Sequence, residues 1–96
     1  MSGIGRTEKS GFTIAAAVRC AEIPGYRLVY VLYRTKLKRG GSAYSVSVTI
    51  SSGEETVGTT ASDLTRSREK AEEIFRALAD GSVTPCALTD VLEELL

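Results

Sequence analysis

The chain has 96 residues, of which 43% are hydrophobic and 25% charged, and it contains no histidine. This length predicts one domain with a modest core, and the lack of histidine removes the commonest general base and metal ligand. Cys20 and Cys86 lie far apart without a Cys-x-x-Cys pattern, so the sequence predicts neither a disulfide framework nor a zinc site.

The amino-acid sequence also shows no pattern typical of a targeting signal. No apolar run reaches the length of a membrane span, and residues 1–10 lack the apolar segment of a signal peptide. We therefore expect a cytoplasmic protein with reduced thiols, without membrane contact, metal or cofactor.

The net charge of zero conceals a division along the chain. Residues 1–48 carry eight basic and two acidic residues, whereas residues 49–96 carry four basic and ten acidic residues. Such asymmetry can indicate a nucleic-acid or acidic partner. It can equally mean that basic strands and acidic helices attract each other, or that identical copies pair. We favour the structural or self-association interpretation, because charge fields bear on association rather than on chemistry.

The first half of the chain has the pattern of β-strands. Residues 1–10 predict a loose arm before a single α+β domain over residues 11–96. Over residues 12–20, alternation predicts a half-buried strand, with one parity formed by Phe12, Ile14, Ala16, Val18 and Cys20. Residues 21–25 then read as a turn because of their Pro-Gly pair.

Three further strands are predicted, joined by short turns. Residues 26–37 are dense in β-branched and aromatic side chains, which indicates a central strand. Gly40 and Gly41 mark a hairpin connection. In the third strand, residues 42–50, Tyr44 and the alternate residues after it are expected to face inward. Residues 55–60 suggest a shorter edge strand. Connections this short favour an antiparallel meander.

Two helices are predicted to follow, both docked on one face of the sheet. The first should begin after Ser67 as N-cap and end near Asp80, with Gly81 in the left-handed conformation. The second should have Thr84 as its cap and Pro85 at its first position. Its apolar stripe consists of Leu88, Val91, Leu92 and Leu95. The predicted fold is thus α+β, a four-stranded meander covered by two C-terminal helices.

No catalytic residue is predicted. Cys86 falls at the start of a helix, where a thiolate is favoured, but a nucleophile needs a base, and we expect Cys86 and Cys20 to be small packed side chains. Asp90, Glu93 and Glu94 have the spacing of a solvated helix face.

One cluster is a candidate binding surface. Arg34, Lys36, Lys38 and Arg39 occur near Tyr30, with Tyr33 and Tyr44 also close along the strands. Basic and aromatic side chains on a sheet face can bind single-stranded nucleic acid. The alternative, which we favour, is that Tyr33 and Tyr44 belong to the core and the basic residues keep a hairpin tip soluble.

The C-terminal half also resembles a known family. Residues 65–75, followed by the Val-Thr-Pro-Cys start of the last helix at residues 83–86, are similar to short, uncharacterised proteins of clostridial and related Gram-positive bacteria, a domain-of-unknown-function family. The resemblance implies a small cytoplasmic protein with no assigned activity, and it carries over no site residue.

These observations predict a non-enzymatic interaction or self-associating module. A protein partner or a second copy, as in a homodimer, is the favoured partner. A nucleic-acid-binding regulator that uses the basic residues is the alternative, and an enzyme ranks third.

Overall fold

The computed structural model describes residues 10–96, with side chains from residue 13 onward. In this part of the chain four strands form one antiparallel sheet, two helices follow, and a 3₁₀ turn at Pro85–Ala87 precedes the second helix. The strands are β1 (Ser10–Ile23), β2 (Tyr26–Leu37), β3 (Ser42–Ser52) and β4 (Glu55–Thr65), and the helices are α1 (Arg68–Asp80) and α2 (Leu88–Leu95). The predicted α+β meander is confirmed. Of the loose arm predicted for residues 1–10, Ser10 instead begins β1, and residues 1–9 lie outside the described residues.

Short turns explain the meander. Strand order follows chain order, β1-β2-β3-β4, because each connection is too short to cross the sheet. Between β2 and β3, Gly40 and Gly41 take φ angles of +99° and +78°, and the Leu37 N–H donates to the Gly41 carbonyl oxygen at 3.1 Å. Glycine reaches these angles without the steric cost that a Cβ brings.

Both helices cover the same face of the sheet, as predicted. Leu28, Tyr30 and Leu32 of β2 are buried under the helices, and they lie opposite alternate residues of β3 that face the same side of the sheet. The fully or nearly fully buried core consists of Leu28, Tyr30, Leu32, Tyr44, Val46, Val48, Ala71, Ile74, Phe75, Leu78, Ala79, Leu88 and Leu92. Val91 and Leu95 pack beside it, so the predicted stripe of α2 is docked.

Strand β1 departs from the predicted alternation. Ala15 pairs with Tyr33 but Ala17 pairs with Leu32, so Ala16 is an extra residue in a β-bulge. A one-residue insertion exchanges the faces of all later side chains. Val18 and Cys20 therefore lie on the sheet face away from the helices, and the placement of Phe12 falls outside the described side chains.

Strand β4 is longer than predicted and continues to Thr65. Its register slips between the pairs Val46–Ala61 and Tyr44–Thr65, and Asp63 takes a φ of +52° within the irregularity. The Asp63 N–H donates to the Ser45 Oγ at 3.3 Å. Pairing with β3 resumes at Thr65 after the slip, so residues 61–65 belong to the strand, and Ala61 and Leu64 pack against the core.

The helix ends confirm some sequence signals and contradict others. The Ser67 hydroxyl accepts from the Lys70 N–H, as an N-cap should. Gly81 has a φ of −89° and is not left-handed; Ser82, with a φ of +51°, takes that position. The Ser82 and Val83 N–H groups close a Schellman motif on the carbonyls of residues 79 and 78.

The start of the last helix also differs from the prediction. Pro85 is at the first position of the 3₁₀ turn and is buried, but the Thr84 side chain makes no capping hydrogen bond. The 3₁₀ turn separates Thr84 from the N-terminus of α2, so the hydroxyl does not meet the unpaired N–H groups of the α-helix.

Candidate functional site

The four basic residues singled out from the sequence lie together at one end of the sheet. Arg34 and Lys36 have the same parity as Leu32, so they project from the face that the helices cover, beyond the helices' buried contact. Lys38 and Arg39 lie in the turn that follows β2. All four side chains are exposed.

Two further arginines, one just before α1 and one at its first residue, lie near these four side chains. Arg68 and Arg34 line one cleft of about 350 Å³, and Arg66 lines a neighbouring cleft with Lys38 and Arg39. We call these six residues the basic cluster: Arg34, Lys36, Lys38, Arg39, Arg66 and Arg68.

The aromatic residues do not accompany this cluster. Tyr30 is fully buried, and its hydroxyl donates to the Val83 carbonyl oxygen at 2.9 Å. Burial raises the pKa of Tyr30 above its ordinary value of 10.0, because the anion would lose its hydration. Tyr44 belongs to the core, as expected, and Tyr33 lies half-buried on the opposite sheet face. The prediction that Tyr30 joins the basic residues in a binding surface is therefore wrong, because its ring is part of the core.

An acidic surface lies on α2. Asp90, Glu93 and Glu94 recur at helical spacing on one side of the helix and are exposed. Residues 81–96 contain no lysine or arginine. We call these three residues the acidic stripe.

The ion pairs leave both surfaces largely uncompensated. Among the described residues, four salt bridges form: Arg19–Asp80 at 3.1 Å, Arg27–Glu22 at 3.6 Å, Arg68–Glu72 at 3.2 Å and Lys70–Glu73 at 3.9 Å. Glu72 thus pairs with Arg68 and not, as its spacing also allowed, with Arg76. Within the part of the chain that the structure describes, Arg68 alone of the basic cluster has an acidic partner, and the acidic stripe has none.

The sheet face away from the helices is a second candidate surface, which we call the open face. Its β1–β2 half is apolar, formed by Ala15, Val18, Cys20, Val29, Val31 and Tyr33. Its β3–β4 half carries hydroxyl groups, from Ser45, Ser47, Thr49, Thr60 and Ser62. Val18 is 57% exposed. Arg34 and Lys36 project from the other face, and the other members of the basic cluster lie outside the strands, so the combination of open sheet, basic residues and exposed tyrosines does not form.

Both cysteines are exposed, which corrects the expectation of packed thiols. The bulge in β1 turns Cys20 onto the open face, and in the 3₁₀ turn the neighbouring Pro85 takes the buried position instead of Cys86. Over residues 13–96, no group of three His, Cys, Asp or Glu side chains is arranged to hold a metal ion. No helix within the described residues is long and apolar enough to cross a membrane.

Comparison with known proteins identifies the family. The pattern of a family of unknown function, DUF6514, matches residues 12–96. The chain belongs to this family. The predicted resemblance to an uncharacterised family is thereby confirmed. Neither the comparison with curated proteins nor that with solved structures finds a match.

In this DUF6514 chain, sequence reasoning missed Arg66 and Arg68 as members of the basic cluster. The signal was present in the topology. In a four-stranded meander, the C-terminus of β4 and the β2–β3 turn lie at the same end of the sheet along the strand direction. The residues after β4 therefore lie beside Lys38 and Arg39. Counting strand directions therefore places all six cations at one end.

Proposed function

We propose that this protein is a non-enzymatic interaction module that associates with a second copy of itself. The observation that carries the proposal is the separation of charge in the folded chain, which has an exposed basic cluster and an exposed acidic stripe. Among the described residues, the only ion pair that involves either surface joins Arg68 of the basic cluster to Glu72. The two surfaces have opposite sign on a chain of zero net charge.

Physical reasoning supports association through such surfaces. Six cations at one end of a small sheet repel each other, and that repulsion is relieved when anions approach. Complementary surfaces also accelerate encounter and fix the relative orientation of partners. The exposed thiols fit the cytoplasm as the proposed location, because that compartment keeps thiols reduced.

A nucleic-acid-binding regulator is the second candidate. The same basic cluster favours it, because cations without acidic partners are what phosphates require. The burial of Tyr30 and Tyr44 weakens it, since base stacking supplies much of the affinity for single strands.

The test is size-exclusion chromatography with light scattering at low and high salt, repeated with a random single-stranded oligonucleotide. A dimer that dissociates in high salt and ignores the oligonucleotide supports self-association. A monomer that binds the oligonucleotide at low salt, with affinity that falls steeply as salt rises, replaces it with the second candidate. A monomer that binds nothing refutes both.

A further inference from the structure

The basic cluster and the acidic stripe lie on the same side of the molecule and reach the same end of it. Arg68 belongs to the first turn of α1, and Arg34 lies beside it. Lys70, in the same turn, lines a groove with Glu94 near the end of α2. The start of α1 therefore separates the two surfaces, and both face outward from the helix side of the sheet.

We infer that two copies dock through their helix sides about a twofold axis, so that the basic cluster of each copy contacts the acidic stripe of the other. This inference rests on the proposed self-association and names its contact. Because both surfaces share one side, a single twofold rotation satisfies both contacts at once. Surfaces on opposite sides would instead have predicted an open, head-to-tail chain.

Apolar side chains provide a centre for this interface. The groove between α1 and α2, about 320 Å³ in volume, has the exposed Ala77 and the half-buried Leu95 among its charged residues, with the buried Ile74 at its base. Leu96 is 60% exposed beside the acidic stripe. An apolar centre within a charged rim is the usual anatomy of protein interfaces.

The structure favours a second copy over nucleic acid as the occupant of the basic cluster. Among the described side chains, residues 13–96, no exposed aromatic ring adjoins the cluster, so this part of the chain offers bases no ring on which to stack. The acidic stripe at the same end repels a phosphate chain but attracts a second basic cluster.

Charge reversal on each surface tests the contact. One variant changes Arg34, Lys36, Lys38 and Arg39 to glutamate, which leaves Arg66 and Arg68 as the cations of the basic cluster and makes its sum negative. The other combines Glu93→Lys with Glu94→Lys, which makes the sum of the acidic stripe positive. All six side chains are exposed, so both variants should fold, which circular dichroism verifies. Glu54→Lys combined with Glu55→Lys, an exposed reversal at the β3–β4 turn and so at the opposite end of the sheet from the basic cluster, is the matched control. Each variant is measured alone and in an equimolar mixture by light scattering.

The expected result is a wild-type dimer, two monomeric reversal variants and a dimer in their mixture, since the mixture restores attraction at both contacts. The dissociation constant of each variant alone should rise by roughly tenfold or more, and the control should remain dimeric. If the reversal variants stay dimeric, this contact is refuted while self-association stands; Val31→Glu then tests the open face.

Two other outcomes also overturn the inference. A monomeric wild type refutes the contact together with the proposed function. The basic cluster is assigned to nucleic acid if three results occur together: the variants become monomeric but do not associate when mixed, the wild type binds the oligonucleotide, and the glutamate variant of the basic cluster does not.

Discussion

Replacement of Tyr30 by phenylalanine tests how the sheet holds the C-terminal segment. Tyr30 is fully buried, and its hydroxyl donates to the carbonyl oxygen of Val83, in the link between α1 and the 3₁₀ turn. Phenylalanine keeps the ring and its packing but leaves that carbonyl without its donor. One lost hydrogen bond of this kind costs about 1–2 kcal/mol of the free energy of unfolding. At this size, each kcal/mol lowers Tm by roughly 4–8 °C.

The same substitution predicts a pH dependence. Burial raises the pKa of Tyr30 above 10.0 in the folded protein. The folded state therefore holds this proton more tightly than the unfolded state, and the stabilisation is fully present below the unfolded pKa. It is lost as pH rises through the folded pKa. The stability difference between wild type and Tyr30→Phe should stay constant at neutral pH and shrink above pH 10.

Urea unfolding followed by circular dichroism at a series of pH values measures both effects. Tyr26→Phe is the matched control, because that ring is 48% exposed and its substitution should change stability by less than about 0.5 kcal/mol. The reasoning is refuted if Tyr30→Phe is as stable as wild type at neutral pH, or if the difference persists unchanged at alkaline pH.

Four other substitutions test the helices by denaturant titration. Leu92→Ala removes a side chain that is 6% exposed and should cost about 2–4 kcal/mol; a loss below half a kcal/mol would show that α2 is not docked. Ser67→Ala should cost about 1 kcal/mol, because its hydroxyl caps α1, whereas Thr84→Ala should cost less than about 0.5 kcal/mol, because its hydroxyl caps nothing; equal losses would contradict this distinction. Ser82→Gly should raise stability by up to about 1 kcal/mol, since it relieves a left-handed conformation, and a destabilised variant would argue against that strain.

Periodicity predicted the strands and helices because it records which side chains the core must bury. The alternation in β3 and the stripe of α2 each had one buried face, so burial left no other register. β1 is an edge strand with exposed side chains before and after Ala16, and little burial constrains its register. The inserted residue was therefore invisible in the sequence, and the positions of Val18 and Cys20 were predicted wrongly.

The candidate surfaces were predicted in part. Charge counts indicated the asymmetry, and the clustering of the four basic residues followed from their adjacency in the chain. The assignment of Tyr30 failed because β2 is a central strand, with apolar residues on both faces, and local pattern does not say which face receives the helices. The left-handed position at Ser82 was missed for a related reason: glycine is the usual residue there, and Gly81 stood next to it.

The bulge at Ala16 has a consequence for solubility. β1 is a 14-residue edge strand with little charge, a template on which another chain's strand could align and begin a cross-β stack. The inserted residue interrupts the even spacing of its outward backbone groups, so an incoming strand can stay in register only on one side of residue 16. Deletion of Ala16 would give the edge one continuous register from Thr13 to Ile23, and such a chain should form fibrils sooner under conditions in which the natural chain stays dissolved.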